Sequence, residues 1–99
     1  MPLQILVVDD EPQIRAMLGG LLKDAGHHVL TSNSGEDALA LVQQQAVDLI
    51  LLDLRLPGMT GLEVLQRMQE QHLAIPTVMI SAHADIELAV QATQRGAYN

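Results

Sequence analysis

Leu49-Ile50-Leu51-Leu52-Asp53 places four aliphatic residues directly before one carboxylate, and Leu54-Arg55-Leu56-Pro57-Gly58 follows. An apolar run of this length, closed by a Pro-Gly turn signal, reads as a strand buried on both faces. Asp53 then stands where the chain returns to solvent. Ile5-Leu6-Val7-Val8 repeats the pattern and ends in Asp9-Asp10-Glu11. Two neighbouring parallel strands with acids at their C-terminal ends would gather those acids in one crevice.

Outward from these two runs, the chain alternates strand and helix patterns. The first strand covers about Gln4 to Val8, and Glu11-Pro12 opens a helix, Pro being harmless where the N–H has no partner. Ile14, Leu18, Leu21, Leu22 and Ala25 follow helical spacing until Gly26. His28 to Thr31 reads as a short strand. Ser34, with Asp37 three residues on, is a capping-box variant before Ala38, Leu39, Leu41 and Val42. Gln43-Gln44-Gln45 is the solvated end of that helix. After the Leu49–Asp53 strand, Pro57-Gly58 and Gly61 punctuate a loop, and Leu62, Leu65 and Met68 mark a third helix. Met59 and Met68 read as space-filling residues. Thr77 to Ile80 forms a fourth strand ending in Ser81-Ala82, and a fourth helix runs from about Asp85 to Arg95, closed by Gly96. This alternation implies an α/β fold, a doubly wound parallel sheet with right-handed crossovers. Such sheets carry their sites outside the carboxyl ends of the strands, where strand order reverses. Asp9, Asp10, Asp53 and Ser81 all fall there.

Composition bounds the function. The 99 residues make one domain, and 48% hydrophobic content is ample for a core, which is aliphatic because Phe and Trp are absent. Twelve acidic residues against five basic ones give a net charge of -7, which excludes the basic footprint of a nucleic-acid binder. The absence of cysteine excludes disulfides and fits a reducing, cytoplasmic setting. No stretch has the length of a membrane span, and the N-terminus lacks the pattern of a signal peptide.

The chemistry follows from the acids. Carboxylates converging on one point repel one another unless a cation neutralises them. Mg²⁺ is a hard ion that takes oxygen ligands. An aspartate can be a phosphoryl nucleophile, forming an acyl phosphate, with the charge on the transferred oxygens held by a metal and nearby donors. Asp53 is the candidate acceptor, and Ser81 can donate one hydrogen bond. Taken singly, each acid is more often a turn, cap or helix-start residue; the matched strand-end positions favour the site. His27, His28, His72 and His83 fit no common zinc spacing and read as surface residues.

Four segments, ILVVDDEPQIR (5–15), DLILLDLRLPGMTGLEVL (48–65), PTVMISAHAD (76–85) and AVQATQRGAYN (89–99), together resemble the receiver domain of two-component response regulators. They stand in that family's order and spacing across nearly the whole chain. The last segments resemble receivers attached to transcriptional regulators of the NtrC or FixJ type. The resemblance implies a flavodoxin-like (CheY-like) fold with strand order 2-1-3-4-5. It implies that Asp53 receives a phosphoryl group from a histidine kinase. Mg²⁺ would be bound by Asp9, Asp10, Asp53 and the backbone carbonyl of Arg55, and Ser81 would contact the phosphoryl group and carry the switch. It places kinase contacts on the first helix, at Ile14 and Met17, with Leu18 assigned to the core, and output in a linked effector domain absent from this chain. The domain would be a phosphoacceptor rather than an enzyme.

The family pattern continues past Asn99 with a fifth strand, a Lys at its end and a fifth helix. Residues 1–99 therefore read as a receiver truncated after four βα units. Lys23 does not occupy the Lys position, and Tyr98 precedes the family's aromatic switch position. Loss of the fifth strand would leave the fourth as an open edge, available with the fourth helix for dimerisation. The rival readings are a phosphorylation-independent interaction module, which the missing Lys favours; a phosphohydrolase, which Arg55 in place of a second acid opposes; and a flavin binder, opposed by the lack of Trp, Phe and a phosphate loop.

Overall fold

The computed structural model describes residues 2–80 and 97–98. The strands are β1 (Gln4–Val8), β2 (His28–Ser32), β3 (Leu49–Asp53), β4 (Thr77–Ile80) and β5 (Ala97–Tyr98). The helices are α1 (Pro12–Asp24), α2 (Gly35–Gln44) and α3 (Gly61–Glu70). All strand pairs are parallel, in the order β2-β1-β3-β4-β5. This is the expected doubly wound order, and it confirms β1 and β3 as the adjacent central pair. One expectation is corrected. The chain does enter a fifth strand: Ala97 and Tyr98 pair with Thr77 and Val78. Two residues carry too little periodicity to be read as a strand. β4 is thus not a bare edge, although among the described residues its outer ladder stops at Val78. The expected fourth helix lies outside the described residues.

Strand periodicity divides the apolar residues between two layers. Leu6, Val8, Ile50 and Leu52 join Ala38, Leu39 and Val42 of α2 and Leu62, Val64, Leu65 and Met68 of α3 in one buried cluster. Ile5 and Val7 are equally buried but fall on the alternate face, where α1 packs on β2 and β1. Among the described residues that second layer is thinner. Ile14, Leu18 and Leu22 are half-buried, so Leu18 is less enclosed than a core residue, while Met17 is 53% and Leu21 61% exposed. Leu21 and Ala25, which share the helical spacing of Ile14, Leu18 and Leu22, are both exposed.

The helix ends follow local chemistry. Pro12 is at the start of α1, with Glu11 at the N-cap. Ser34 caps α2 by accepting the Asp37 N–H at 3.2 Å, the expected half of a capping box. Thr60 and Glu63 form a complete capping box on α3. α1 and α3 end in the same hydrogen-bond motif: His27 and Gly26 N–H donate to Leu22 and Lys23 carbonyls, and Leu73 and His72 N–H donate to Met68 and Gln69 carbonyls. The left-handed position is Gly26 (φ 92°) in the first and His72 (φ 58°) in the second. A side chain costs about 1–2 kcal/mol there, against about 0.5–1 kcal/mol of extra chain entropy for glycine. His72→Gly is therefore expected to stabilise the fold by about 0.5–1 kcal/mol, read as a rise in the urea midpoint at unchanged slope. An unchanged midpoint would contradict this account of the cap.

Candidate functional site

The register Val8↔Leu52 aligns the ends of β1 and β3, so Asp9 and Asp53 emerge side by side at the sheet's carboxyl edge. Carboxylate oxygens of Asp9, Asp10 and Asp53 all lie within 4.8 Å of one another. Asp9 is 5% and Asp53 7% exposed, whereas Asp10 faces solvent. Each buried acid is held by a local turn. Asp9 Oδ1 accepts the Glu11 N–H at 2.9 Å, and Asp53 Oδ1 accepts the Arg55 N–H at 3.0 Å. The Asp9 N–H donates to the Ser32 carbonyl at 3.1 Å, extending the β1–β2 ladder by one bond.

A cation stands beside this group. Arg15 Nη1 donates to the Asp9 backbone carbonyl at 2.7 Å, tying the first turns of α1 to the acid edge. In the sequence Arg15 is marked only as a helical residue of ILVVDDEPQIR, and its reach depends on the angle at which α1 leaves β1.

The loop after Asp53 is anchored by alternation. Leu54 and Leu56 are buried at 4% and 6% exposure, and Arg55 between them faces solvent. Gly58 then turns the chain with φ 74°. Gly61, first residue of α3, donates its N–H to the Leu54 carbonyl at 3.1 Å. The helix therefore abuts the backbone that carries Asp53.

Asp9, Asp10 and Asp53 are thus brought together as expected, and Arg55 joins them through its N–H on Asp53 Oδ1. Ile14 and Met17 lie on α1, the first half-buried and the second exposed. Ser81 and His83 lie outside the described residues. The other histidines are apart from the acids: His27 Nδ1 accepts the Leu3 N–H at 3.0 Å, His28 starts β2 and His72 follows the C-cap of α3. Among the described residues the three aspartates form the one group of carboxylates and imidazoles able to share a metal ion.

The donor set decides what cation suits the site. It consists of carboxylate oxygens without nitrogen or sulfur, which matches a hard ion. Two of the acids are buried, where an unneutralised charge is costly. The residues present therefore fit Mg²⁺.

Comparison with known proteins agrees with this geometry. The family model described as "Response regulator receiver domain" matches residues 5–99. The nitrogen assimilation regulatory protein NtrX of Azorhizobium caulinodans is 43% identical over 97 residues, 96% of this chain and 21% of that protein. The DNA-binding transcriptional regulator NtrC of Salmonella typhimurium is 37% identical over 95 residues, 96% of this chain and 20% of that protein. The chain thus spans about a fifth of the length of these relatives. Response regulator TrrA of Thermotoga maritima, solved in complex with Mg²⁺-BeF, superposes with a TM-score of 0.86 at 32% identity, covering 99% of this chain and 84% of that one. No helix among the described residues is long and apolar enough to cross a membrane. A family match over nearly the whole chain, relatives that include NtrC itself, and an acid cluster at the predicted edge of the sheet place this chain in the response regulator receiver family, as a receiver of the NtrC type.

Proposed function

We propose that this domain is the phosphoacceptor of a two-component pathway, taking a phosphoryl group on Asp53 from a phosphohistidine of a histidine kinase. The observation that carries the reading is the convergence of three carboxylates at the ends of β1 and β3, two of them buried. A carboxylate oxygen of Asp53 attacks phosphorus. The P–N bond to the donor imidazole breaks, its electron pair stays on the ring nitrogen, and that nitrogen takes up a proton. The product is an acyl phosphate on Asp53. Asp9, Asp10, Asp53 and the Arg55 carbonyl would hold Mg²⁺, which when bound offsets charge on the phosphoryl oxygens. The solved relative in complex with Mg²⁺-BeF supports that assignment.

The finer parts of the reading follow from the family. Ser81 contacts the phosphoryl group and carries the switch. The exposed side of α1, with Met17 and Leu21 in the open and Ile14 beside them, suits contact with the kinase. The relatives are about five times longer, so the output belongs to a linked effector, a transcriptional regulator in relatives of this type. The domain works in the cytoplasm and turns over no substrate beyond its own phosphorylation and dephosphorylation.

The test is intact mass after incubation with acetyl phosphate and Mg²⁺. One phosphoryl adduct is expected on the native chain and none on Asp53→Asn. No adduct on a chain shown by circular dichroism to be folded would remove the acceptor reading and leave a phosphorylation-independent interaction module.

A further inference from the structure

We infer that Gly61 is a positioning residue for the acid site: the bare Cα at the start of α3 lets the helix seat directly on the peptide unit of Asp53 and so fixes where the Asp53 carboxylate points. This rests on the reading of Asp9, Asp10 and Asp53 as a Mg²⁺-binding phosphoacceptor site. A Cβ at Gly61 would overlap the Asp53 carbonyl oxygen, and would stand 3.0 Å from Leu54 Cα and 3.2 Å from the Asp53 carbonyl carbon. All three obstacles are backbone atoms, so no rotamer change can clear them.

A methyl group there has two outlets. α3 could withdraw, but Leu62, Val64, Leu65 and Met68 bind it into the buried cluster and Thr60 and Glu63 cap its first turn. The other outlet is rotation of the Asp53–Leu54 peptide. That peptide precedes Arg55, whose N–H holds Asp53 Oδ1 at 3.0 Å, so its rotation re-aims the carboxylate. Ligand sets tolerate little: displacements near 0.5 Å already exceed productive geometry, and about 1 Å can cost a hundredfold.

Gly35 supplies a matched comparison. It opens α2 and is also crowded, with an added Cβ 2.7 Å from Val64 Cγ2 and 3.1 Å from Met59 Cβ. Those neighbours are side chains between α2 and α3, and no acid of the site is among them. Gly35→Ala thus disturbs packing alone, and Gly61→Ala disturbs packing and the Asp53 backbone.

The experiment is a Mg²⁺ titration of the native chain, Gly61→Ala and Gly35→Ala, followed by amide shifts of Asp10 and Asp53 in NMR spectra, with folding checked by circular dichroism. The native chain is expected to bind, Gly35→Ala to bind within twofold of it, and Gly61→Ala to bind at least tenfold more weakly. Absence of binding by the native chain would overturn the site reading itself. Native binding with Gly61→Ala inside twofold would overturn only the positioning role, as would equal weakening by Gly35→Ala. If Gly61→Ala is unfolded, it is remade with the stabilising His72→Gly. A double variant that still does not fold also overturns the inference, because the glycine then serves the fold rather than the site.

Discussion

Leu52→Ala is expected to remove about 3–4 kcal/mol of folding free energy, a large share of the roughly 5–15 kcal/mol that holds a domain together. Leu52 has no exposed surface and lies in the cluster between the sheet and the α2–α3 layer. It sits in β3, with β1 and β4 on either side, so the chain cannot easily collapse into the space a smaller side chain leaves. The removed methyl groups lose their transfer free energy, and the cavity adds its own cost. For a domain of this size the melting temperature should fall by roughly 15–25 °C, at about 4–8 °C per kcal/mol. Leu51, next in the strand, points to the other face and is only half-buried. Leu51→Ala should cost about half as much. Equal losses for the two variants would contradict the division of the core into a dense α2–α3 layer and a thinner α1 layer.

Asp53→Asn should do two opposite things to stability. Without divalent cations it is expected to stabilise the fold by about 1–3 kcal/mol. Two unit charges about 5 Å apart repel by about 3 kcal/mol at an effective dielectric near 20, and exposure of Asp10 reduces that for the pairs it joins. Asparagine keeps an oxygen to accept the Arg55 N–H, so the loop contact survives. With Mg²⁺ the native chain gains stability as the logarithm of ligand over its dissociation constant, and the variant, with one ligand neutralised, gains little. The gap between the two melting curves should therefore close or invert between EDTA and excess Mg²⁺. Asp9→Asn should behave the same way, because its oxygen can still accept the Glu11 N–H. Coincident melting of native and variant chains in EDTA would rule out repulsion among the three acids. Parallel gains in Mg²⁺ would rule out Asp53 as a ligand.

Much of this site was legible because strand ends are marked locally. Ile5–Val8 and Leu49–Leu52 are apolar without interruption, and each meets an acid where the run stops. Other features are marked in the sequence against a competing signal. Thr60 and Glu63 stand at capping-box spacing, yet Pro57, Gly58 and Gly61 drew the whole stretch into a loop. His72 carried no signal, since the left-handed cap position is ordinarily marked by glycine. The exposure of Met17 and Leu21 could not be read either, because a helical repeat shows that an apolar face exists and not how much of it is covered.

By itself the sequence determined the class of the fold, the alternation of strand and helix and the chemical nature of the acids, because hydrophobic period, turn residues and functional groups are properties of short segments. It also carried a resemblance that named the family. Only the tertiary structure decided that Asp9, Asp10 and Asp53 share a space of 4.8 Å, since this depends on the Val8↔Leu52 register, and a slip of one residue would turn each side chain to the opposite face. The same holds for Arg15 on the Asp9 carbonyl and for Gly61 against the Asp53 peptide. These are meetings between elements, set by packing angle and register, which no single segment encodes.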